Sequence, residues 1–382
     1  MSNQRMANLG HSEIRAMTQA CVAAKGLNMA QGVCDTPTPP IVSAAAAEAI
    51  KGGRNVYSRF DGLAELREAL AVKLARDNGM TADPETEITV SAGATGAFHS
   101  VCLALLSPGD EVLLFEPYYQ YHISALLAVE AIPQYVSMQA GDWSVTAEAI
   151  ERAVTSKTRA IIVNSPGNPS GKVFTRSELE AVAEIATRRN LLVLTDEIYE
   201  YFLYDGRRHV SLASLPGMAE RTVTIGGYSK TFSVTGWRIG YSVASRPLAQ
   251  AIGAMNDLLY VCAPTPLQLG VAAGIKELPA SFYQQLRKEY QAKRDRFCAA
   301  LAQAGLPPSV PQGAYYVLAD ATRLPGATGK ERAMHLLDKA GIAGVPGEAF
   351  FRGSEGARYI RFSYAKTDAD LDEACRRLSR LP

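Results

Sequence analysis

The sequence predicts an α/β protein, with a large domain carrying a mostly parallel sheet in α/β/α layers and a smaller α+β domain built from both chain ends. Two observations predict it. Short β-rich runs alternate with helical patterns through the middle of the chain, and the two flanks break that rhythm. Such alternation calls for right-handed β-α-β crossovers, and so for parallel strands. The expected division places residues 45–278 in the large domain and residues 1–44 with 279–382 in the small one.

The elements follow in order. Residues 12–25 read as a helix, and Pro37, Pro39 and Pro40 as a rigid connector after it. Ile88-Thr89-Val90 is a strand; the next helix begins near Thr95 and stops at the turn Ser107-Pro108-Gly109-Asp110. Glu111 to Phe115 is a strand, and Ala160 to Val163 is another, apolar throughout as burial on both faces requires. A helix opens at Thr175, where Thr175 and Glu178 fit a capping box, and Arg188 and Arg189 suit the negative end of its dipole. Leu191 to Leu194, Thr222 to Ile225 and Ile239 to Val243 complete the strands of the core. Beyond it, Pro279 to Gly305 reads as a long amphipathic helix with Phe282, Leu286, Tyr290 and Phe297 on its apolar side.

Composition narrows the function. The chain has 382 residues, 47% of them hydrophobic, enough for a large core. A net charge of +1 argues against nucleic-acid binding, which shows itself as a basic excess. No apolar run reaches membrane-spanning length, and Met1–Gly10 lacks the layout of a signal peptide. Six scattered cysteines without a C-x-x-C pair suit free thiols in a cytoplasmic protein. The histidines His11, His99, His122, His209 and His335 show no metal-ligand spacing and read as surface or satisfied core residues.

In open α/β sheets ligands bind beyond the carboxyl ends of the strands. Three successive strands are followed there by Asn164-Ser-Pro-Gly-Asn168-Pro-Ser-Gly171, by Asp196-Glu197-Ile198-Tyr199, and by Gly226-Gly227-Tyr228-Ser229-Lys230. One edge thus receives an amide, a carboxylate and an amine. An aldehyde cofactor on a protonated pyridine wants this set. The amine forms a Schiff base, the carboxylate keeps the ring nitrogen protonated, and an amide and a phenol bond the ring hydroxyl. A phosphate would suit the helix start at Ser91-Ala92-Gly93-Ala94-Thr95. A nucleotide phosphate loop needs glycine directly before its lysine, where Ser229 stands, and no G-x-G-x-x-G follows the first strand.

These segments, with Ser229-Lys-Thr-Phe-Ser-Val-Thr-Gly-Trp-Arg-Ile-Gly240 and Tyr359-Ile-Arg-Phe-Ser-Tyr-Ala365, stand in one order and spacing. In them the chain resembles the fold-type I, pyridoxal-phosphate-dependent aminotransferases of class I/II, the aspartate, aromatic and kynurenine aminotransferase group. The likeness runs from about Ser12 to Lys366. It implies that Lys230 holds pyridoxal 5'-phosphate and shuttles the proton, with Asp196 on the ring nitrogen and Asn168 and Tyr199 on the ring hydroxyl. Tyr119 and Ile198 would cover the two ring faces. Gly93, Ala94, Thr95, Arg238 and, in place of a serine the family carries at Gly227, Ser229 would hold the phosphate. Arg361 would grip the substrate α-carboxylate, with Gly32 and Asn168 beside it. Tyr57 would reach the phosphate of a neighbouring subunit, which implies a homodimer with active sites at the interface.

The small-molecule substrates so implied are an L-amino acid and a 2-oxo acid, exchanged by a ping-pong mechanism. A lyase, decarboxylase or cyclase on the same scaffold is the alternative. Val33-Cys34, where relatives carry Phe-Pro, is expected in the substrate pocket. Tyr118, Tyr119, Tyr121, Tyr260 and Tyr315 are candidate pocket aromatics.

Overall fold

The computed structural model describes residues 12–381; Met1–Gly10 and His11 lie outside the described residues. The strands are β1 (Leu27–Asn28), β2 (Ile88–Ala92), β3 (Glu111–Glu116), β4 (Ile132–Ser137), β5 (Thr158–Asn164), β6 (Leu192–Asp196), β7 (Thr222–Gly227), β8 (Ile239–Val243), β9 (Pro308–Ser309), β10 (Tyr316–Asp320), β11 (Ile342–Ala343), β12 (Val345–Pro346) and β13 (Tyr359–Ser363).

Seven of them form the large sheet, in the order β2-β8-β7-β6-β5-β3-β4. Every pairing is parallel except those of β8, which runs against both neighbours. β8 reverses because only residues 228–238 separate it from β7, and a parallel crossover needs about a dozen residues or more. The central strands are apolar on both faces: Ile161, Ile162, Val163, Val193, Leu194, Val223 and Ile225 are all buried. The helix Arg176–Arg188 opens with the expected capping box between Thr175 and Glu178.

Of the elements that the sequence left without a clear signature, two have a plain physical reason. Pro40 is not connector but the first residue of a helix, Pro40–Lys51, where a missing N–H costs nothing. The division expected at residue 45 falls inside this helix, which packs on the helix Thr265–Glu277. β4 is a half-exposed edge strand containing Pro133, so it lacks the all-apolar signature of the central strands.

The chain ends build a smaller, β-rich unit. Its sheet has the order β12-β13-β10-β9, antiparallel throughout. The pair β1–β11 ties the N-terminal segment to it. The long helix Ala280–Gln303 buries Leu286, Tyr290, Phe297 and Leu301 and packs on the helix Asp368–Leu378. Among the described residues no helix is long and apolar enough to cross a membrane.

Candidate active site

β5, β6 and β7 end side by side, with Asn164 opposite Asp196 and Asp196 opposite Ile225. That register brings the three polar segments to one edge, where a cavity of about 460 Å³ opens. Gly32, Ala94, Thr95, Tyr119, Asn168, Asp196, Ile198, Tyr199, Ser229, Lys230, Arg238 and Arg361 all line it. Gly93 lies one residue behind Ala94. Tyr57 is outside the cavity and 79% exposed.

One end of the cavity is built for an anion. The helix Gly93–Leu105 begins there without a side-chain cap, so its first amides point outward unsatisfied. Arg238, in the left-handed conformation at φ 57°, is held by a 2.8 Å bond from Nη1 to the Thr235 carbonyl. Two glycines permit the approach. A Cβ on Gly93, at φ +75°, would overlap the Arg238 guanidinium, and one on Gly240 would overlap the amide of Ala94. At Gly227 a Cβ would stand 3.1 Å from Ile198 Cδ1, so a larger residue there would press on the cavity wall.

The floor carries the acid and the amine. Asp196 Oδ2 lies 3.0 Å from His122 Nε2, and Oδ1 accepts from the amide of Ile198 at 3.3 Å. Lys230 Nζ, half-buried, donates to the Gly32 carbonyl at 3.0 Å. Tyr199 Oη is 3.1 Å from Tyr316 Oη. Burial, with the neighbouring Tyr316 and Tyr119, holds the Tyr199 phenol well above its ordinary pKa, so it stays a proton donor at neutral pH.

The far end carries Arg361, only 1% exposed on β13. Its guanidinium lies between the rings of Tyr316 (4.4 Å) and Phe350 (4.9 Å). Nη1 donates to Asn168 Oδ1 at 3.0 Å and Nη2 to the Ala30 carbonyl at 2.5 Å, while Nε is buried without a partner. A buried cation with a spare donor beside a cavity suits a carboxylate. An uncapped helix start with an arginine, a free amine, a buried carboxylate and a protonated phenol fit pyridoxal phosphate, group for group.

Five residues stand elsewhere than expected. His122 is neither surface nor plain core: it lines the cavity and bonds Asp196. Its spacing of three from Tyr119 at a helix start was the available signal. Tyr315 and Tyr260 do not line the cavity, because their hydroxyls turn to the backbone of Gly32 and Ala92; the adjacent Tyr316 lines it instead. Tyr118 packs outside, against Tyr135. Cys34 does not line it either. Its buried thiol faces the Lys230 carbonyl at 3.4 Å, behind the lysine.

The family model "Aminotransferase class I and II" matches residues 24–378. A probable N-succinyldiaminopimelate aminotransferase of Mycobacterium tuberculosis is 38% identical over 366 residues, covering 93% of this chain and 92% of that protein. An aspartate aminotransferase of Pyrococcus abyssi is 35% identical over 382 residues, covering 99% and 97%. The solved structure of N-succinyldiaminopimelate aminotransferase from Mycobacterium tuberculosis aligns with a TM-score of 0.96 at 37% identity, over 100% of both chains.

Proposed function

The chain belongs to the class I and II aminotransferases, and we propose how its own residues divide the work of that family's reaction. The enzyme uses pyridoxal 5'-phosphate to move an amino group between an amino acid and a 2-oxo acid in a ping-pong cycle. When bound, the cofactor supplies an aldehyde that condenses with amines and a protonated ring that takes up the electron pair released at the substrate Cα.

In this reading Lys230 carries the cofactor. Displaced by the substrate amine, its own free amine takes the Cα proton and returns it at the neighbouring position. Asp196, steadied by His122, pairs with the ring nitrogen. Asn168 and Tyr199 donate to the ring hydroxyl oxygen. Tyr119 and Ile198 cover the ring faces, and Gly93, Ala94, Thr95, Ser229 and Arg238 bind the phosphate. Arg361 receives the substrate α-carboxylate between its Nη atoms and its unpartnered Nε, with Gly32 and Asn168 beside it. The observation that carries this reading is the meeting of Lys230, Asp196 and the open helix start in one cavity.

The active unit proposed is a homodimer in which Tyr57 of one copy completes the phosphate site of the other. Val56 (74% exposed), Tyr57 (79%) and Leu258 (78%) support it as an apolar face left open. Bonds of 2.7 Å from Thr265 to the Val56 carbonyl and from Asn256 to the Phe60 carbonyl hold these segments together. Residues 45–278 act as the large domain, with the whole helix Pro40–Lys51 on its side, against which the rest of 1–44 and 279–382 close over substrate, and the enzyme works in the cytoplasm, where its six free cysteines stay reduced.

The named relatives differ in substrate, so the donor is found by experiment. Single amino acids added to the yellow holoenzyme without keto acid should bleach it, and a keto acid should restore the colour. Colour that persists while ammonia or carbon dioxide accumulates would move the chain to the lyase or decarboxylase reading. Light scattering should give twice the chain mass, and a monomer would remove Tyr57 from the site.

A further inference from the structure

Tyr316 stands where the two halves of the site meet. It is the first residue of β10, which pairs with β13, the strand carrying Arg361. Its ring is buried and fixed on several sides. Arg361 lies 4.4 Å from its centroid, the Tyr199 ring stands edge-on at 5.8 Å and 89°, and the Tyr315 ring is 4.8 Å away. Its hydroxyl touches the Gly32 backbone so closely that a Cβ there would overlap it. With the ring so held, the hydroxyl meets the Tyr199 phenol at 3.1 Å.

From this geometry we infer that Tyr316 is a positioning residue for transamination: its hydroxyl donates to the Tyr199 oxygen and turns the Tyr199 proton toward the cofactor's ring hydroxyl oxygen. The inference rests on the proposed role of Tyr199. A phenol has one proton to give. If Tyr199 gave its proton to Tyr316, none would remain for the ring oxygen. The order Tyr316 to Tyr199 to ring oxygen satisfies both phenols, and each bond in such a chain strengthens the next. Because the Tyr316 ring also supports Arg361, the residue that binds the α-carboxylate and the residue that bonds the ring oxygen share one mount.

Tyr316→Phe tests this, since it keeps the ring and its packing and removes one oxygen. A proton donated to the ring oxygen favours the form in which that oxygen carries more negative charge. Three readouts apply to the holoenzymes of wild type, Tyr316→Phe, Tyr199→Phe and the double variant: the pH titration of the visible absorbance, the cofactor dissociation constant, and kcat and KM. Tyr316→Phe should move the titration midpoint upward, in the same direction as Tyr199→Phe and by less. It should weaken cofactor binding and lower kcat about three- to tenfold, as the loss of one ordinary hydrogen bond does, with KM for the amino acid nearly unchanged. In the double variant the second change should move the midpoint no further. A midpoint that shifts in Tyr199→Phe but not in Tyr316→Phe overturns the inference alone. A rise in KM with an unmoved midpoint also overturns it, by assigning the hydroxyl to the substrate. An unmoved midpoint in Tyr199→Phe overturns the reading of Tyr199, and the inference with it.

Discussion

The end of β6 and the segment after it carry two clusters of buried charge, one on each side, and they are built on opposite terms. Toward the cavity, Asp196 and Tyr199 face Lys230 and Arg361, and this side keeps open valences such as Arg361 Nε. Toward the interior, Glu197 and Glu200 enter a network that closes on itself. Lys73, wholly buried, lies 2.5 and 2.6 Å from the two oxygens of Glu200 and donates to Asn78 at 2.8 Å. Asn78 bonds Glu200 at 2.9 Å and Ser211 at 2.7 Å; Ser211 bonds Glu197 at 2.6 Å, and His209 meets Glu197 at 2.7 Å. Of its side chains only His209 leaves a buried nitrogen, Nδ1, unpartnered among the described residues. Glu197, Glu200 and His209 lie close enough to resemble a metal site, yet Lys73 already supplies the cation. A cluster that pairs its own charges steadies the segment, and one that leaves them open has something to offer a ligand.

Substitutions on the two sides should therefore fail differently. The largest effect is expected at Lys230→Ala, which should lose transamination by several orders of magnitude while its urea midpoint stays near that of the wild-type apoenzyme. Turnover retained without added amine would remove Lys230 from its role. On the interior side, Lys73→Met should leave Glu200 buried and unpaired and cost roughly 3–5 kcal/mol of unfolding free energy. Lys73→Met combined with Glu200→Leu should recover most of that loss in urea titrations; if the single variant unfolds like wild type, the network is not what steadies the segment.

Arg361→Lys keeps the charge but loses the planar fork. Steady-state kinetics should show kcat/KM for the amino acid down by about ten- to a hundredfold, the worth of one charge-assisted hydrogen bond. A comparable loss of thermal stability instead would make Arg361 a structural residue. The smallest effect concerns pH. Burial alone would lower the His209 pKa, but the charge and hydrogen bond of Glu197 outweigh it and raise it. Burial would raise the Glu197 pKa, but His209, Ser211 and Thr195 together hold it low. The histidine's contribution to stability is thus complete below its ordinary pKa of about 6.5 and is lost as pH rises through the raised value. The carboxylate's contribution is lost only as pH falls through its lowered one. Between pH 6 and 9 the thermal midpoint of wild type should decline more than that of His209→Gln, and parallel curves would show that the pair is not charged.

The cavity side was legible in the sequence to a degree the interior side was not. Asp196, Lys230 and Asn168 follow apolar strands in short polar segments, and a strand's end projects its next residues to the sheet edge whatever the rest of the chain does. Thr175 with Glu178 is equally local, since a capping box closes within four residues. The partnership of Lys73 with Glu200 spans 127 positions, and nothing in either neighbourhood announces the other. His122 looked like a core residue because its partner, Asp196, sits 74 positions away.

By itself, then, the sequence determined the alternation of strands and helices, the polar segments at one edge, and through them the cofactor and the kind of reaction. These are properties of residues close together along the chain. Tertiary structure alone decided the pairing of Lys73 with Glu200, the choice of Tyr316 over Tyr315 as the phenol facing the cavity, and the burial of Cys34 behind Lys230 rather than beside the substrate. Tyr315, one residue before β10, and Tyr316, its first residue, both reach Gly32 with rings 4.8 Å apart, so which of the two enters the site depends on how segments 283 positions apart pack together.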